Sequence, residues 1–341
     1  MNYDAILLVS FGGPEKNEDV LPFLENVLRG RNVPRERMLA VAEHYYHFGG
    51  KSPINDQNRS LVAALQAELH TQGIMLPVYW GNRNWHPMLT DTLQQMKTDG
   101  VRRALAFLTA SYSSYSSCRQ YRENIEAAQL ATGAGAPQVE KIRAYFNHPG
   151  FIDAVVDRVR VSFERLTSEL RRDAYVVYTA HSIPTAMAES CKYVAQLTEA
   201  SRLVSERLGR KGDPLVFQSR SGPPTQAWLE PDILDHLRSI HACGAKAAVI
   251  VPIGFVSDHM EILYDLDTQA RELCSSLGIE MVRAETVGTH PWFVRMIREL
   301  IEERMRESHH RPALGVLGAS HDVCPAECCP SPAIRASVAR V

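Results

Sequence analysis

Short apolar segments recur along the chain and alternate with longer segments of helical period. Continuous apolar runs of this length, bounded by glycine, proline or serine, are typical of strands buried on both faces of a parallel sheet. Strands are predicted over residues 5–9, 77–80, 104–108, 175–178, 215–217, 247–251 and 280–283, and helices over 57–72, 152–170, 187–209 and 292–307. This alternation predicts a doubly wound α/β fold, with parallel sheets flanked by helices.

Three pairs of segments occur in the same order in the two halves of the chain. Each pair combines a buried strand with the turn that follows it: residues 7–14 with 177–184, 79–87 with 217–224, and 107–112 with 251–256. A length of 341 residues also suits two domains, at roughly 100–200 residues each. We therefore predict two similar Rossmann-like domains, residues 1–150 and 151–310, with a cleft between them and a Cys-rich tail over 311–341.

Composition and charge indicate which kinds of partner and location the protein can have. The net charge is −2 and charged residues make up 22% of the chain, so we expect no nucleic-acid partner. No apolar run reaches the roughly 18 residues of a membrane-spanning helix. Residues 1–9 have the pattern of a first strand and not that of a signal peptide. We therefore expect a cytoplasmic protein whose seven cysteines stay reduced.

A histidine follows the strand predicted over 175–178. Ligands of open α/β sheets bind beyond the carboxyl ends of the strands, and His181 stands there between a small residue and a turn. An imidazole can accept a proton or bind a metal near neutral pH. A structural histidine bonded to a backbone carbonyl is the other interpretation, and the residues alone leave both open.

Acidic residues cluster after the strand predicted over 247–251. A helix with Ser257 or Asp258 as its N-cap would place Asp258, Glu261 and Asp265 on one face. A solvated acidic face is one interpretation. Stacked like charges repel, however, and a cation moving along them would relieve the repulsion. Carboxylates beside an imidazole suit a divalent metal in passage.

Two loops have the composition of a binding wall. Segment 111–121 is rich in hydroxyls and aromatic rings, and segment 45–53 places aromatic rings beside a Gly-Gly pair and a lysine. Ordinary polar turns are the alternative. We predict a wall for a flat, acidic ligand, with Arg29 and Arg31 placed to clamp carboxylates.

Three cysteines stand close together in the tail, in the spacing Cys324-x3-Cys328-Cys329. This spacing is compatible with zinc, with an iron–sulfur cluster or with a thiol-rich tail that binds nothing. Three ligands are one short of the usual four. Cys118, in a predicted site loop, is the best candidate for the fourth.

Taken together, segments 8–15, 48–54, 180–184 and 257–267 resemble the ferrochelatase family, and the resemblance covers nearly the whole chain. It implies two chelatase-type domains around a porphyrin cleft and insertion of Fe²⁺, as substrate, into a porphyrin during heme biosynthesis. By this resemblance His181 binds the metal or accepts pyrrole protons, and Glu261 faces it across the macrocycle. Asp258, His259 and Asp265 correspond to a polar metal path behind that glutamate.

The same resemblance assigns the porphyrin contacts to Ser52, Tyr121, Arg29 and Tyr45. Phe11 stands where related Gram-positive enzymes carry a tyrosine that approaches the metal, and its ring cannot ligate. Similarity to actinobacterial-type members favours coproporphyrin III over protoporphyrin IX as substrate and implies transient contacts with neighbouring heme-pathway enzymes. It also implies a [2Fe-2S] cluster, with four cysteine ligands: Cys118, Cys324, Cys328 and Cys329.

Three other functions are alternatives. A cobalt chelatase of corrin synthesis shares the fold but tends to offer more histidines at the metal. A non-catalytic heme carrier would need a lasting axial ligand and no acidic stripe. A sugar- or phosphate-binding module is disfavoured, because Gly12-Gly13-Pro14 lacks the spacing of a phosphate loop.

Overall fold

Two four-stranded parallel sheets form the framework of the computed structural model, which describes residues 3–30, 33–222 and 225–331. Arg31 lies outside these residues. The first sheet has the order β2-β1-β3-β4 and the second the order β6-β5-β7-β8, with all neighbours parallel. The identical order confirms the internal repeat and the predicted fold class. The strands are β1 (Ala5–Ser10), β2 (Val78–Asn82), β3 (Arg103–Leu108), β4 (Gln138–Lys141), β5 (Tyr175–His181), β6 (Leu215–Gln218), β7 (Ala247–Val251) and β8 (Glu280–Arg283).

Helices connect the strands on both faces of the sheets. Short helical segments of other types are a 3-10 turn over Asn17–Asp19 and π-helices over Tyr115–Arg119 and Ile262–Ala270. The α-helices are α1 (Val20–Leu28), α2 (Arg35–His47), α3 (Ile54–Thr71), α4 (Leu89–Thr98), α5 (Gln120–Thr132), α6 (Pro149–Glu164), α7 (Ser168–Asp173), α8 (Thr185–Ala188), α9 (Tyr193–Arg207), α10 (Ile233–Ala242), α11 (Arg271–Leu277) and α12 (Pro291–Met305). None of the helices in the described ranges is both long and apolar enough to cross a membrane.

Two predicted helices are shorter than expected. The segment 152–170 divides into α6 and α7, because Thr167 caps the second helix with its side chain, which accepts a hydrogen bond from the Leu170 amide. The segment 187–209 is helical only from Tyr193 to Arg207. Strand β4 was not predicted, since its sequence, QVEK, is that of a polar edge strand without an apolar run.

Helix α12 joins the two halves through one apolar core. Phe107 on β3 stacks on Tyr145 at 5.1 Å between ring centroids, and Phe293 on α12 meets Phe107 edge to face at 6.1 Å. Phe151 on α6 lies 6.2 Å from Phe293. All four rings are buried, and burial of each contributes roughly 1.5–3 kcal/mol. This core fixes the two sheets, and therefore the loops at their carboxyl ends, relative to each other.

After α12 the tail returns to the first sheet. The fully buried Arg143, just after β4, pairs with Glu303 at 2.8 Å and donates to the Pro312 carbonyl at 2.9 Å. The Asn147 amide donates to the carbonyls of Leu314 and Gly318. These bonds hold the tail against the end of the sheet that carries Cys118.

Candidate active site

The imidazole of His181 lies at the carboxyl end of β5 and contacts the carboxylate of Glu261. Its Nδ1 lies 2.5 Å from the Ser182 carbonyl oxygen. A carbonyl oxygen can only accept, so Nδ1 carries a proton and donates a hydrogen bond to it. Its Nε2 then faces Glu261, with 3.3 Å between Nε2 and Oε2. Both side chains remain partly exposed, at 32% and 47%. The predicted arrangement, with a macrocycle between the two residues, is wrong, because no ring fits into that distance.

The contact makes the two groups an ion pair. Burial alone would lower the pKa of His181, but the charge of Glu261 outweighs it and raises this pKa to about 9. Burial alone would raise the pKa of Glu261, and the His181 imidazolium instead lowers it to about 2. Burial lowers the pKa values of two neighbouring imidazoles, His44 and His259. The centre of the site is therefore one charged pair flanked by two neutral histidines.

The acidic stripe behind Glu261 differs from the predicted one. The helix begins at Met260 and continues as the π-helix Ile262–Ala270, so Asp258 precedes it. Arg283 on β8 binds Asp258 at 3.2 Å and Asp267 at 2.8 Å, which turns Asp258 into part of a half-buried ion-pair network. The expected single face of three carboxylates is therefore wrong.

Asp265 remains beside the ion pair. It accepts a hydrogen bond from the Ser219 hydroxyl and a longer one, 3.4 Å, from the Gln218 amide. Burial raises the pKa of Asp265 to about 6, and the nearby charge of Glu261 adds to this effect. A carboxyl group with such a pKa exchanges its proton near neutral pH.

His259 has a local contact on each side. Its ring meets Phe255 edge to face at 4.8 Å, and its Nδ1 accepts a hydrogen bond from the Glu261 amide at 3.2 Å. The imidazole thus satisfies one of the free amides at the start of the helix. This bond helps to hold the backbone of Glu261 in place.

Aromatic rings from the first half form a wall near the ion pair. Phe23 is its buried centre, with ring centroids of Phe11, Tyr45 and Trp85 at 6.2, 5.7 and 6.3 Å. Phe11 is 36% exposed, which leaves its ring available to a ligand. The rings of Phe23 and Trp85 were not predicted, although Trp85 stands in a loop that follows a strand, where an aromatic ring is a usable signal.

Arg83 connects this aromatic wall to Tyr121. Its guanidinium lies 4.5 Å from the centroid of the Tyr121 ring and 5.6 Å from that of Phe11. Its Nε also donates to the Asn124 side chain at 2.6 Å. Tyr121 and Phe11, predicted separately, therefore share one cation–π partner that the prediction did not include.

Three contacts join the two halves beside the ion pair. The ring of His44 on α2 stacks on Tyr264 with 3.6 Å between centroids and 12° between planes. The Tyr112 hydroxyl donates to the Ile253 carbonyl at 3.0 Å, and the Asp258 amide donates to Gln57 at 2.8 Å.

Burial and, to a lesser degree, the charge of Glu261 raise the pKa of Tyr45, so the aromatic wall lies within electrostatic range of Glu261.

A second group of side chains forms where the tail meets the π-helix Tyr115–Arg119. The structure brings together the four predicted cysteines, all as free thiols, with 3.7 Å between the Sγ atoms of Cys328 and Cys329. A hydrogen bond with Cys324 lowers the pKa of the Cys118 thiol. A hydrogen bond with Cys329 and burial outweigh this effect and raise the pKa to about 11. A hydrogen bond with Cys118 and, to a lesser degree, burial raise the pKa of the Cys324 thiol to about 12.

Arginine side chains hold the cysteine loop of the tail. Arg119 donates to the carbonyls of Ala326 and Cys328 at 2.5 and 3.2 Å, and Arg122 donates to the Cys324 carbonyl at 3.4 Å. His321, which the sequence analysis did not single out, lies in the same group. A set of four clustered thiols on a clamped backbone has the donor chemistry of a metal or iron–sulfur site.

Comparison with known proteins adds to this geometry. A family model described as Ferrochelatase matches residues 3–305. The chain belongs to the ferrochelatase family. A ferrochelatase from Rhodopirellula baltica is 58% identical, over 96% of this chain and 93% of its own length. The coproporphyrin III ferrochelatase of Streptomyces coelicolor is 49% identical, over 99% and 96%, and that of Nocardia farcinica is 50% identical, over 89% of each chain.

Solved chelatase structures share the fold. SirB from Bacillus subtilis with Fe³⁺ has a TM-score of 0.56 and 12% identity, and the comparison covers 90% of this chain and 98% of that one. The sirohydrochlorin chelatase SirB from Bacillus subtilis subspecies spizizenii, in complex with cobalt, has a TM-score of 0.53 and 11% identity, over 90% and 97%. At these identities the likeness shows the two-domain fold alone.

Membership of the ferrochelatase family confirms the predicted enzyme class, insertion of a metal ion into a porphyrin in heme synthesis. Two of the porphyrin contacts that the resemblance implied have other partners in the structure. Arg29 is exposed at the end of α1, where its guanidinium binds Asn26 at 2.5 Å. Ser52 is 2% exposed and packs against Gly13, where an added Cβ would lie 2.7 Å from the serine Cβ. Their contact with porphyrin stays a prediction.

Proposed function

We propose that this chain inserts Fe²⁺ into coproporphyrin III, with His181 and Glu261 as the residues that receive the metal. The observation that carries this proposal is the 3.3 Å contact between Nε2 and Oε2 beside the aromatic wall around Phe23. An imidazole and a carboxylate are both good donors for Fe²⁺. The relatives from Streptomyces coelicolor and Nocardia farcinica, both named coproporphyrin III ferrochelatases, support the choice of porphyrin.

The ion pair determines how the metal enters. With a pKa of about 9, His181 holds a proton at neutral pH, and Fe²⁺ must displace it to reach Nε2. Glu261 stays charged throughout and attracts the cation. A protonated His181 has no free nitrogen for a pyrrole proton. Fe²⁺ would displace the imidazolium proton to solvent, and transfer of Fe²⁺ from Nε2 into the macrocycle would then free Nε2 to accept one.

Insertion releases two pyrrole protons for each Fe²⁺ that enters the ring. His181 can accept one of them once the metal has left Nε2 for the ring. Asp265, whose pKa is about 6, is placed to pass these protons onward, and its hydrogen bond from Ser219 stabilises the charged form. Proton transfer by a positioned acid–base group typically contributes 10²–10⁴-fold to a rate.

The aromatic wall would hold the macrocycle against the pair. Phe11 and Tyr45 offer ring faces to a flat tetrapyrrole, and Arg83 offers a cation near Tyr121. Binding energy from the propionates would support bending of the macrocycle, so that the pyrrole lone pairs point out of its plane towards the metal. Phe11 has no ligand atom, and the two metal donors proposed here, His181 and Glu261, belong to the second half.

We further propose that the four clustered cysteines hold a [2Fe-2S] cluster. The set fits, because four thiols gather on a backbone clamped by Arg119 and Arg122 and none of them forms a disulfide. When bound, such a cluster supplies one-electron redox chemistry. The division into domains at residues 150 and 310, the cytoplasmic location and transient contacts with heme-pathway enzymes stay predictions.

One anaerobic assay tests the proposed reaction. Fe²⁺ insertion is followed by absorbance with coproporphyrin III and with protoporphyrin IX, and Co²⁺ replaces Fe²⁺ in a parallel series. We expect the highest kcat/KM for Fe²⁺ with coproporphyrin III. A preference for protoporphyrin IX would overturn the choice of substrate, and a preference for Co²⁺ would favour the cobalt chelatase.

A further inference from the structure

His321 is a fifth donor side chain within the cysteine group. Its Nε2 lies 3.9 Å from the Sγ of Cys328, and the donor atoms of His321, Cys324 and Cys328 all lie within 4.8 Å of one another. The hydrogen bond with Cys118 and burial raise the pKa of Cys324, and a hydrogen bond from His321 opposes this rise only in part. A [2Fe-2S] cluster takes four protein ligands, and the four cysteines already provide them. The imidazole is therefore available for another role.

The backbone on both sides of His321 is anchored. Arg311 donates to the Ser320 carbonyl at 2.7 Å and pairs with Asp322 at 3.1 Å. Arg304 on α12 also approaches Asp322, at 3.6 Å. Because these bonds hold both neighbours of His321, the fold determines where the imidazole lies, even though the side chain itself is exposed.

We propose that His321 donates an N–H···S hydrogen bond to the Cys324 or Cys328 thiolate of the bound cluster and thereby raises its reduction potential. This inference rests on the proposed [2Fe-2S] cluster. One-electron reduction makes the cluster more negative, and a donor that points at a ligand sulfur stabilises the reduced form more than the oxidised one. His321 would thus be a positioning and tuning residue outside the ligand set.

The choice between donor and ligand follows from the surroundings of each side chain. Cys118 and Cys329 are buried at 7% and 5% exposure and form the inner side of the group, whereas His321 lies on the outer, exposed side. An outer imidazole within reach of two sulfur atoms suits a hydrogen bond from Nε2–H.

The test compares variants of the full chain, purified and reconstituted anaerobically with iron and sulfide. The potential is measured by following the visible absorbance while the cluster is reduced with dithionite in the presence of redox mediators. In His321→Ala, we expect the ratio of reduced to oxidised cluster at a fixed solution potential to fall roughly tenfold, which is about 59 mV for a one-electron couple. His321→Gln keeps an N–H donor and should retain most of the wild-type potential.

His309→Ala is the matched control, since His309 is an exposed histidine of the same tail outside the cysteine group. It should leave the potential unchanged. An unchanged potential in His321→Ala, with the cluster present, overturns the inference and leaves the cluster proposal intact. Absence of cluster absorbance from the wild-type protein overturns the cluster and the hydrogen bond together.

Pulsed EPR of the reduced cluster separates a donor from a ligand. A large ¹⁴N hyperfine coupling in the wild-type protein that disappears in His321→Ala would show direct Fe–N bonding and overturn the donor role. Loss of the cluster from both the Ala and the Gln variants would also indicate a ligand. Loss from Ala alone, with the wild-type potential kept in Gln, would support the hydrogen bond.

Discussion

His181 Nε2 and Glu261 Oε2 lie 3.3 Å apart, although His181 ends β5 and Glu261 follows β7. Both donors therefore lie on the same side of any flat ligand that packs against the aromatic wall of the first half. A metal ion that reaches Glu261 also reaches His181. The two side chains act as one unit with two donor atoms. Before a metal binds, the imidazolium proton of His181 balances the negative charge of Glu261.

Replacement of the imidazole should stop metal insertion. In His181→Ala, we expect kcat for Fe²⁺ insertion to fall at least 100-fold, because one metal donor and the first proton acceptor are both lost. Porphyrin binding, measured by fluorescence quenching, should change little, since the aromatic wall is intact. His241→Ala, an exposed histidine at the end of α10, is the control. Near-normal turnover in His181→Ala would remove this residue from the mechanism.

The ion pair should give the protein a characteristic dependence of stability on pH. Glu261 has its pKa lowered from 4.5 to about 2, so its contribution is present above pH 4.5 and is lost as the pH falls towards 2. His181 has its pKa raised from 6.5 to about 9, so its contribution is present below pH 6.5 and is lost as the pH rises towards 9.

Glu261→Gln should therefore be destabilised most, relative to wild type, between pH 4.5 and 6.5. Because both side chains are partly exposed, screening by solvent limits the difference to about 1 kcal/mol. Denaturant unfolding of the two proteins at pH 5.5 and pH 9 measures it. A difference that grows towards pH 9 would contradict the assigned pairing.

Removal of the charge on Asp265 should alter the pH profile of the reaction. The raised pKa of about 6 means that this carboxyl loses its ability to accept protons as the pH falls through 6. Wild-type kcat should decline over that range. We expect Asp265→Asn to have roughly tenfold lower kcat and no such decline. Asp267→Asn is the control, because Asp267 binds Arg283 instead. An acid limb that persists in Asp265→Asn would assign it to another group.

The hydroxyl of Tyr193 should support the position of His181. It donates to the His181 carbonyl at 3.0 Å from the start of α9. In Tyr193→Phe, loss of a bond contributing about 0.5–1.5 kcal/mol should lower kcat roughly threefold to tenfold, with KM for porphyrin kept. Tyr178→Phe removes a buried bond to Ser205 and serves as the control, with lower stability but unchanged kcat. Equal kcat in both variants would exclude a role for Tyr193 in the site.

Replacement of one tail cysteine should abolish the visible absorbance of the cluster. Cys328→Ser removes one of the four sulfur donors, whereas Cys243→Ser changes an exposed thiol on the loop after α10 and should keep the spectrum. Iron and acid-labile sulfide are measured in parallel. A spectrum that is unaffected by Cys328→Ser would exclude this residue from the ligand set.

The sequence predicted best those elements that a run of apolar residues marks. Buried strands such as β1 and β7 are continuous apolar runs. The order of these runs along the chain predicted the internal repeat, and it also predicted that His181 stands at the end of a strand. The polar edge strand β4 carries no such run and was missed. Patterns of this kind report burial of a segment, and β4 is too exposed to show one, since none of its four residues is buried.

Pairings between distant residues escaped prediction. Nothing near Asp258 in the sequence indicates that Arg283, on a different strand, will bind it. The π-helix Ile262–Ala270 has the composition of an ordinary helix, and its wider turn becomes visible only in the backbone. His321 stands in a tail whose return to Cys118 depends on the buried Arg143–Glu303 pair.

That return of the tail sets an order of events in the maturation of the chain. Cys118 comes from the first half, whereas Cys324, Cys328 and Cys329 follow α12. Arg143 and Glu303 can meet only when β4 and α12 are both in place. A complete set of four thiols is thus a product of finished folding, and a chain truncated before residue 324 has only one of the four cysteines that the proposed cluster needs.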